Sequence, residues 1–126
     1  MLEITALMNN SHVESVCPTG SYFMCMPPIK DTDIDYALLP KEGEYYEAIE
    51  TFRAWGFTLS SQGEVEYNFE TDRFNCMRMG RINLIIIEER DFFDKWVIAS
   101  ALSTKLNLTS KEQRITLFRY FLYGEC

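Results

Sequence analysis

Polar and apolar positions alternate through Asp33-Ile34-Asp35-Tyr36, then give way to the wholly apolar Ala37-Leu38-Leu39 before Pro40. Alternation that becomes continuous is the pattern of a central strand, covered on both faces along most of its length. A second such run, Ile82 to Ile87, is nearly all apolar, and Ile85-Ile86-Ile87 has no polar face at all. Phe74 to Met79 precedes it across Gly80-Arg81, so these two segments read as a hairpin around a short glycine turn. Val65 to Phe69 alternates valine, tyrosine and phenylalanine with polar residues, and reads as a half-exposed strand. Val13 to Cys17 is a short strand or helix end, and Phe57 to Ser60 a further candidate strand.

Helical spacing fills the remainder. Leu2 to Met8 is weakly amphipathic, with Leu2, Ala6 and Met8 on one side. Glu44 to Trp55 carries a stripe of Tyr46, Ile49, Phe52 and Trp55, with Gly56 placed to end it. Asp91 to Leu106 carries Phe92, Trp96, Ala99 and then Leu102 or Ser103. Asp91 suits the positive end of that helix dipole. Ser110 to Tyr123 opens with a capping-box pattern, Ser110 and Gln113, presents Ile115, Phe118 and Leu122, and stops at Gly124. Tyr22 to Met26 is an apolar run closed by the loop signal Pro27-Pro28. Residues 1–126 therefore read as a single α/β or α+β domain, a mixed sheet flanked by helices and closed by two C-terminal helices.

Composition narrows the class. Apolar residues make up 47% of the chain, enough for a core and too many for a disordered segment. A net charge of −7 disfavours a protein whose work is to coat nucleic acid, and suits a cytoplasmic protein. No apolar run is long enough to span a membrane, and the first residues lack the basic start of a signal peptide. Cys17, Cys25, Cys76 and Cys126 show no C-x-x-C spacing and His12 is the single histidine, so a structural zinc site has few ligands to draw on. Free thiols in a reducing compartment fit better than disulfides. Ser11-His12 is no triad, because neighbours in sequence rarely aim at a common atom.

The candidate chemistry lies in Gly20-Ser21, followed after eleven residues by Asp33-Ile34-Asp35. Carboxylates one residue apart on a strand share a face and can hold divalent metal against a triphosphate. Gly20 lets backbone approach the phosphates, and Ser21 adds a hydroxyl there. The plainer alternative is a solvated loop that runs into a strand. Arg73, Arg78 and Arg81 gather around the hairpin and can face a triphosphate or an RNA backbone, or simply balance nearby acids. Tyr45, Tyr46, Phe52 and Trp55 fit a core better than a base-stacking platform.

Gly20-Ser21, the eleven-residue spacer, Asp33-Ile34-Asp35 and the apolar Tyr36-Ala37-Leu38-Leu39 resemble the signature of the polymerase-β-type nucleotidyltransferase superfamily. More narrowly, the chain is similar to small nucleotidyltransferase-like proteins of bacteriophages. The likeness includes Cys25-x-Pro27-Pro28, Asp31-Thr32-Asp33, Ile82-Asn83-Leu84-Ile85, Leu106-Asn107-Leu108 and Arg114-Ile115-x-Leu117-Phe118, and so runs from about Val13 to Gly124. It implies a minimal catalytic core without a separate substrate domain. Asp33 and Asp35 would be catalytic metal ligands, Gly20 and Ser21 would bind phosphates, and Mg²⁺ and a nucleoside triphosphate (NTP) would be the ligands. The reaction implied is transfer of a nucleoside monophosphate from NTP to a hydroxyl of a protein, a tRNA end or a small molecule. The short chain favours a protein or small-molecule acceptor, or a site shared across a homodimer, and a phage protein would work in the host cytoplasm.

One position departs from that pattern. The resemblance expects a third carboxylate in the strand Ile82 to Ile87, where this chain has Asn83. An amide brings a neutral oxygen and does little for a second Mg²⁺. Alternatively, Asn83 is a satisfied polar residue at a sheet edge. Glu89 shares its strand parity but lies roughly 20 Å along an extended chain. Asp31 is the better substitute ligand, with Glu70 and Asp72 as further candidates. The competing functional expectation is a catalytically impaired fold that serves as a nucleotide sensor or as an interaction module in phage–host conflict.

Overall fold

The computed structural model describes residues 4–25, 32–60 and 74–124. The expected strand Val65 to Phe69, the Pro27-Pro28 loop, Leu2, Asp31, Glu70, Asp72, Arg73 and Cys126 lie outside the described residues.

Among the described residues five strands form one mixed sheet: β1 (Val13–Thr19), β2 (Ile34–Pro40), β3 (Thr58–Ser60), β4 (Phe74–Met79) and β5 (Ile82–Ile87). Their order across the sheet is β1-β2-β5-β4-β3. β2 and β5 run parallel, and the other neighbouring pairs are antiparallel. The helices are α1 (Ile4–Met8), α2 (Ser21–Met24), α3 (Tyr45–Ala54), α4 (Arg90–Lys105) and α5 (Lys111–Tyr123). The architecture is therefore α+β with two C-terminal helices, as the apolar patterning implies.

Every residue of β2 and β5 is buried, because these strands lie inside the sheet and helices cover both faces. Ile34, Tyr36, Leu38, Ile82, Leu84 and Ile86 point to the face packed by Leu7 of α1 and by Ala48, Ile49 and Phe52 of α3. Ala37, Leu39, Ile85 and Ile87 point to the opposite face, against Phe92, Phe93, Trp96 and Ala99 of α4 and Phe118 and Leu122 of α5. Aromatic contacts tie that second layer together, with Trp96 edge-on to both Phe74 and Phe118 at 5.3 and 5.2 Å. Pro18 is accommodated because β1 is an edge strand, where a missing N–H donor interrupts no inner ladder.

Three helical faces differ from the expected stripes. In α3, Tyr46 is 77% exposed, and the stripe runs Tyr45, Ala48, Ile49, Phe52. Tyr46 is about 120° around the helix from Phe52, whereas Tyr45 falls on the same side. In α1, Leu7 is the buried residue, and Met8 is exposed. In α5, Arg114 joins Phe118 and Leu122 in the interior, while Ile115 is only partly buried. Arg114 donates to the Leu108 carbonyl at 2.9 Å and to Cys25 Sγ at 3.3 Å, so its charge is solvated by protein atoms. The helix ends follow the sequence: Ser110 accepts from the Gln113 N–H, and Gly124 closes α5 in the left-handed conformation.

Candidate functional site

One end of the sheet gathers polar residues from four strands into a row. Thr19 on β1 pairs with Asp35 on β2, Asp35 with Asn83 on β5, and Asn83 with Arg78 on β4. Residues paired across strands project to one face, here the face covered by α4 and α5. Asp33 lies two residues before Asp35, just ahead of β2, and meets Arg78 at 3.0 Å (Nη1 to Oδ1). The structure thus brings together Gly20, Ser21, Asp33, Asp35 and Asn83, together with Arg78 of the three hairpin arginines named from sequence, and adds Thr19 and Thr32.

Asp35 is the least ordinary group of the set. It is 9% exposed, and its Oδ1 is buried without a hydrogen-bond partner. Burial is the main cause that lifts its carboxyl from the usual 3.8 to about 6. The side-chain hydrogen bond from Asn83 and the charge of Arg78 lower it, and the neighbouring charge of Asp33 raises it. Asn83 is itself fully buried within β5, between β2 and β4. This corrects the sheet-edge alternative: Asn83 occupies a central strand, and its amide serves Asp35.

Gly20 makes the approach of the turn to Asp35 possible. A β-carbon at position 20 would stand 2.1 Å from Asp35 Oδ2, and Gly20 has φ of +81°, where side chains are strained. The Gly20 carbonyl accepts from the N–H groups of Phe23 and Met24 and so starts α2. Ser21 Oγ donates to Thr32 Oγ1 at 3.2 Å, and Arg81 donates to the Thr32 carbonyl at 2.7 Å. Thr32 is held from two sides directly before Asp33, which fixes where that carboxylate begins.

Beneath Asp35, Thr19 connects the row to α4. Trp96 Nε1 donates to Thr19 Oγ1 at 3.2 Å, and Thr19 Oγ1 and Ser100 Oγ lie 2.9 Å apart. Ser100 also donates to the Trp96 carbonyl. Nothing in the sequence marks Thr19 or Ser100 as site residues, since a hydroxyl in a strand or helix has no distinctive spacing.

Among the described residues no cluster of three or more histidine, cysteine or acidic side chains is placed to hold a metal. The donor set at this end of the sheet is two carboxylates and one amide. Glu89 follows the far end of β5, away from Asn83. A separate cleft of about 380 Å³ opens at that far end, lined in part by Leu39, Lys41, Tyr45, Glu88 and Arg90. It contains none of the row residues. No helix among the described residues is long and apolar enough to cross a membrane. The described cysteines, Cys17, Cys25 and Cys76, are free thiols.

No protein-family model, curated protein or solved structure matches this chain.

Proposed function

We propose that the chain is a nucleotidyltransferase-like domain that takes an NTP with Mg²⁺ at Asp33 and Asp35 and transfers the nucleoside monophosphate to a hydroxyl acceptor. The observation that carries this reading is Asp35: a buried acid whose Oδ1 accepts no hydrogen bond, with a second carboxylate two residues away on the same face. A lone buried carboxylate is costly, and a cation offsets that cost. The pair suits Mg²⁺, which favours carboxylate oxygens and keeps phosphate oxygens as its other ligands. Bound there, the ion would neutralise phosphate charge.

The chain's own groups would do the rest. Asp33 and Asp35 would hold the ion. Gly20 and Ser21 form the turn beside them, against which the phosphates lie. In the transfer, the acceptor hydroxyl gives up its proton to water as its oxygen bonds to the α-phosphorus, the bond from that phosphorus to the bridging oxygen breaks, and pyrophosphate leaves with the bridging oxygen. The acceptor is a protein, tRNA or small-molecule hydroxyl, and a homodimer would enlarge its binding surface.

Asn83 favours a second reading. Its buried amide adds no charge to the site: it hydrogen-bonds Asp35, and its Oδ1 is buried without a hydrogen-bond partner. A site with two acids suits a nucleotide sensor, or an interaction module that keeps the fold without the chemistry, as in a phage–host conflict.

The test incubates the protein with each NTP labelled at the α-phosphate, Mg²⁺ and a bacterial lysate, beside the Asp33→Asn/Asp35→Asn double variant. Label on a protein, RNA or small molecule with wild type alone establishes the transferase. Metal-dependent NTP binding without label establishes the sensor. Neither binding nor label rejects a nucleotide function.

A further inference from the structure

We infer that the outward face of α4 is the contact surface of a homodimer, in which α4 of one copy lies antiparallel across α4 of a second. This gives the homodimer suggested above a specific face, and it does not depend on the nucleotide chemistry.

The inner side of α4 buries Phe92, Phe93, Trp96, Ala99, Ser100 and Ser103. At about 100° per residue, Asp94, Ile98, Ala101 and Lys105 fall within about 60° of one another on the opposite side, flanked by Val97 and Leu102. Val97 is 36% and Ile98 48% exposed, Ala101 is exposed and Leu102 partly so. A helix that only covers a sheet turns polar residues outward. α3 does so with Glu47, Glu50 and Arg53, and α5 with Glu112, Gln113 and Thr116. α4 is instead apolar at the centre of both sides, the pattern of a helix that is covered twice.

The charges identify the occupant. Asp94 and Lys105 are both exposed and stand at the two ends of the outward stripe, roughly 16 Å apart along the axis. Neither meets an opposite charge within the stripe. The residues three and four after Asp94 are Val97 and Ile98, and those three and four before Lys105 are Leu102 and Ala101. A two-fold axis that crosses α4 level with Ala99 and Ser100 makes the stripe complementary to itself. Asp94 then meets Lys105 of the other copy at both ends of the contact. Between them Ile98 meets Ala101, whose small side chain leaves room for it, and Val97 meets Leu102. A parallel pairing would set Asp94 against Asp94 and Lys105 against Lys105, which the like charges oppose. Each chain carries a net charge of −7, so two copies repel in general and association reports a specific contact.

Sedimentation velocity of the full chain over a dilution series tests this. One helix pair is a small interface, so the dimer should be populated at about 100 μM and dissociate on dilution towards about 1 μM. Ile98→Glu should raise the dissociation constant by about tenfold or more. Asp94→Lys and Lys105→Glu should each weaken self-association, because each sets like charges together at both ends. Mixed with one another, these two variants should associate as wild type does, since both end contacts are again between opposite charges. All three positions are exposed, and circular dichroism establishes that each variant is folded. A wild-type chain that stays monomeric through the series overturns the proposal and leaves the face to a partner of another kind. A dimer that none of the variants weakens overturns it too, because another face then makes the contact. A dimer weakened by Ile98→Glu alone, or by the charge variants without recovery in their mixture, overturns the antiparallel pairing. Any of these failures leaves the nucleotide reading, which the labelling experiment decides, untouched.

Discussion

Gly20 and Asp35 are in such close contact that the missing side chain of one makes room for the carboxylate of the other. The hydrogen side of Gly20 faces Asp35 Oδ2 where a β-carbon would come within 2.1 Å. The glycine therefore has a steric duty to the acid, independent of any phosphate.

Gly20→Ala should destabilise the fold by a few kcal/mol, about 1 from backbone strain at positive φ and the remainder from displacement of Asp35. The two parts separate in a double-mutant cycle. Asp35→Ala removes the colliding oxygen, so Gly20→Ala should cost much less in that background. Urea unfolding of the four proteins measures the coupling. Equal costs in both backgrounds would show that the contact carries no strain.

The raised carboxyl of Asp35 fixes a pH dependence. Its proton is lost near pH 6 in the folded chain and near 3.8 when unfolded, so between those values the folded state binds more protons. The stability it contributes is fully present below about pH 4 and lost as pH rises through about 6. Each pH unit of displacement is worth about 1.4 kcal/mol. The advantage of Asp35→Asn over wild type should therefore grow from about pH 4 to about pH 7 by a few kcal/mol. Chemical denaturation across that range measures it, and parallel curves for the two proteins would contradict it. Mg²⁺ should narrow the gap at neutral pH by stabilising wild type alone.

Asn83→Asp places a second acid against Asp35 in the interior. Without metal, like charges in contact should lower the melting temperature at neutral pH, because one carboxyl must keep its proton or both lose stability. Mg²⁺ should then raise the melting temperature more in the variant than in wild type. If the third ligand is what limits chemistry, transfer of nucleotide label should rise as well. Equal Mg²⁺ shifts in both proteins would remove position 83 from the metal site.

What the sequence revealed was whatever repeats along the chain. Ile82 to Ile87 and Ala37 to Leu39 announce buried strands because no polar face interrupts them, and Gly80-Arg81 marks the hairpin. Ser110 and Gly124 mark both ends of α5. A polar residue on an inward face is invisible to that reasoning, which is why Arg114 was missed in favour of Ile115. Tyr45 and Tyr46 are adjacent and chemically identical, and it is the seven-residue spacing of Tyr45 from Phe52 that puts Tyr45 on the buried side of α3. At the site, the local spacing of Gly20, Asp33 and Asp35 was readable. The contact of Gly20 with Asp35, the service of Asn83 to Asp35 and the pairing of Arg78 with Asp33 are tertiary facts that no local window contains. The three hairpin arginines looked equivalent in sequence, and strand register gives Arg78 its separate place.

The parallel seam between β2 and β5 sets when the site can exist. A chain growing from its N-terminus offers β1 and β2 first, and their antiparallel pairing leaves one side of β2 open to water. Asp35 is then an ordinary hydrated acid. The strand that brings Asn83 beside it, β5, is synthesised directly after β4 and docks on β2 together with that hairpin partner. Such long-range closure is slow, because much chain must be ordered before any contact rewards it. The dehydration of Asp35 thus falls on the closing step, and the acid meets its interior surroundings only when the sheet is complete.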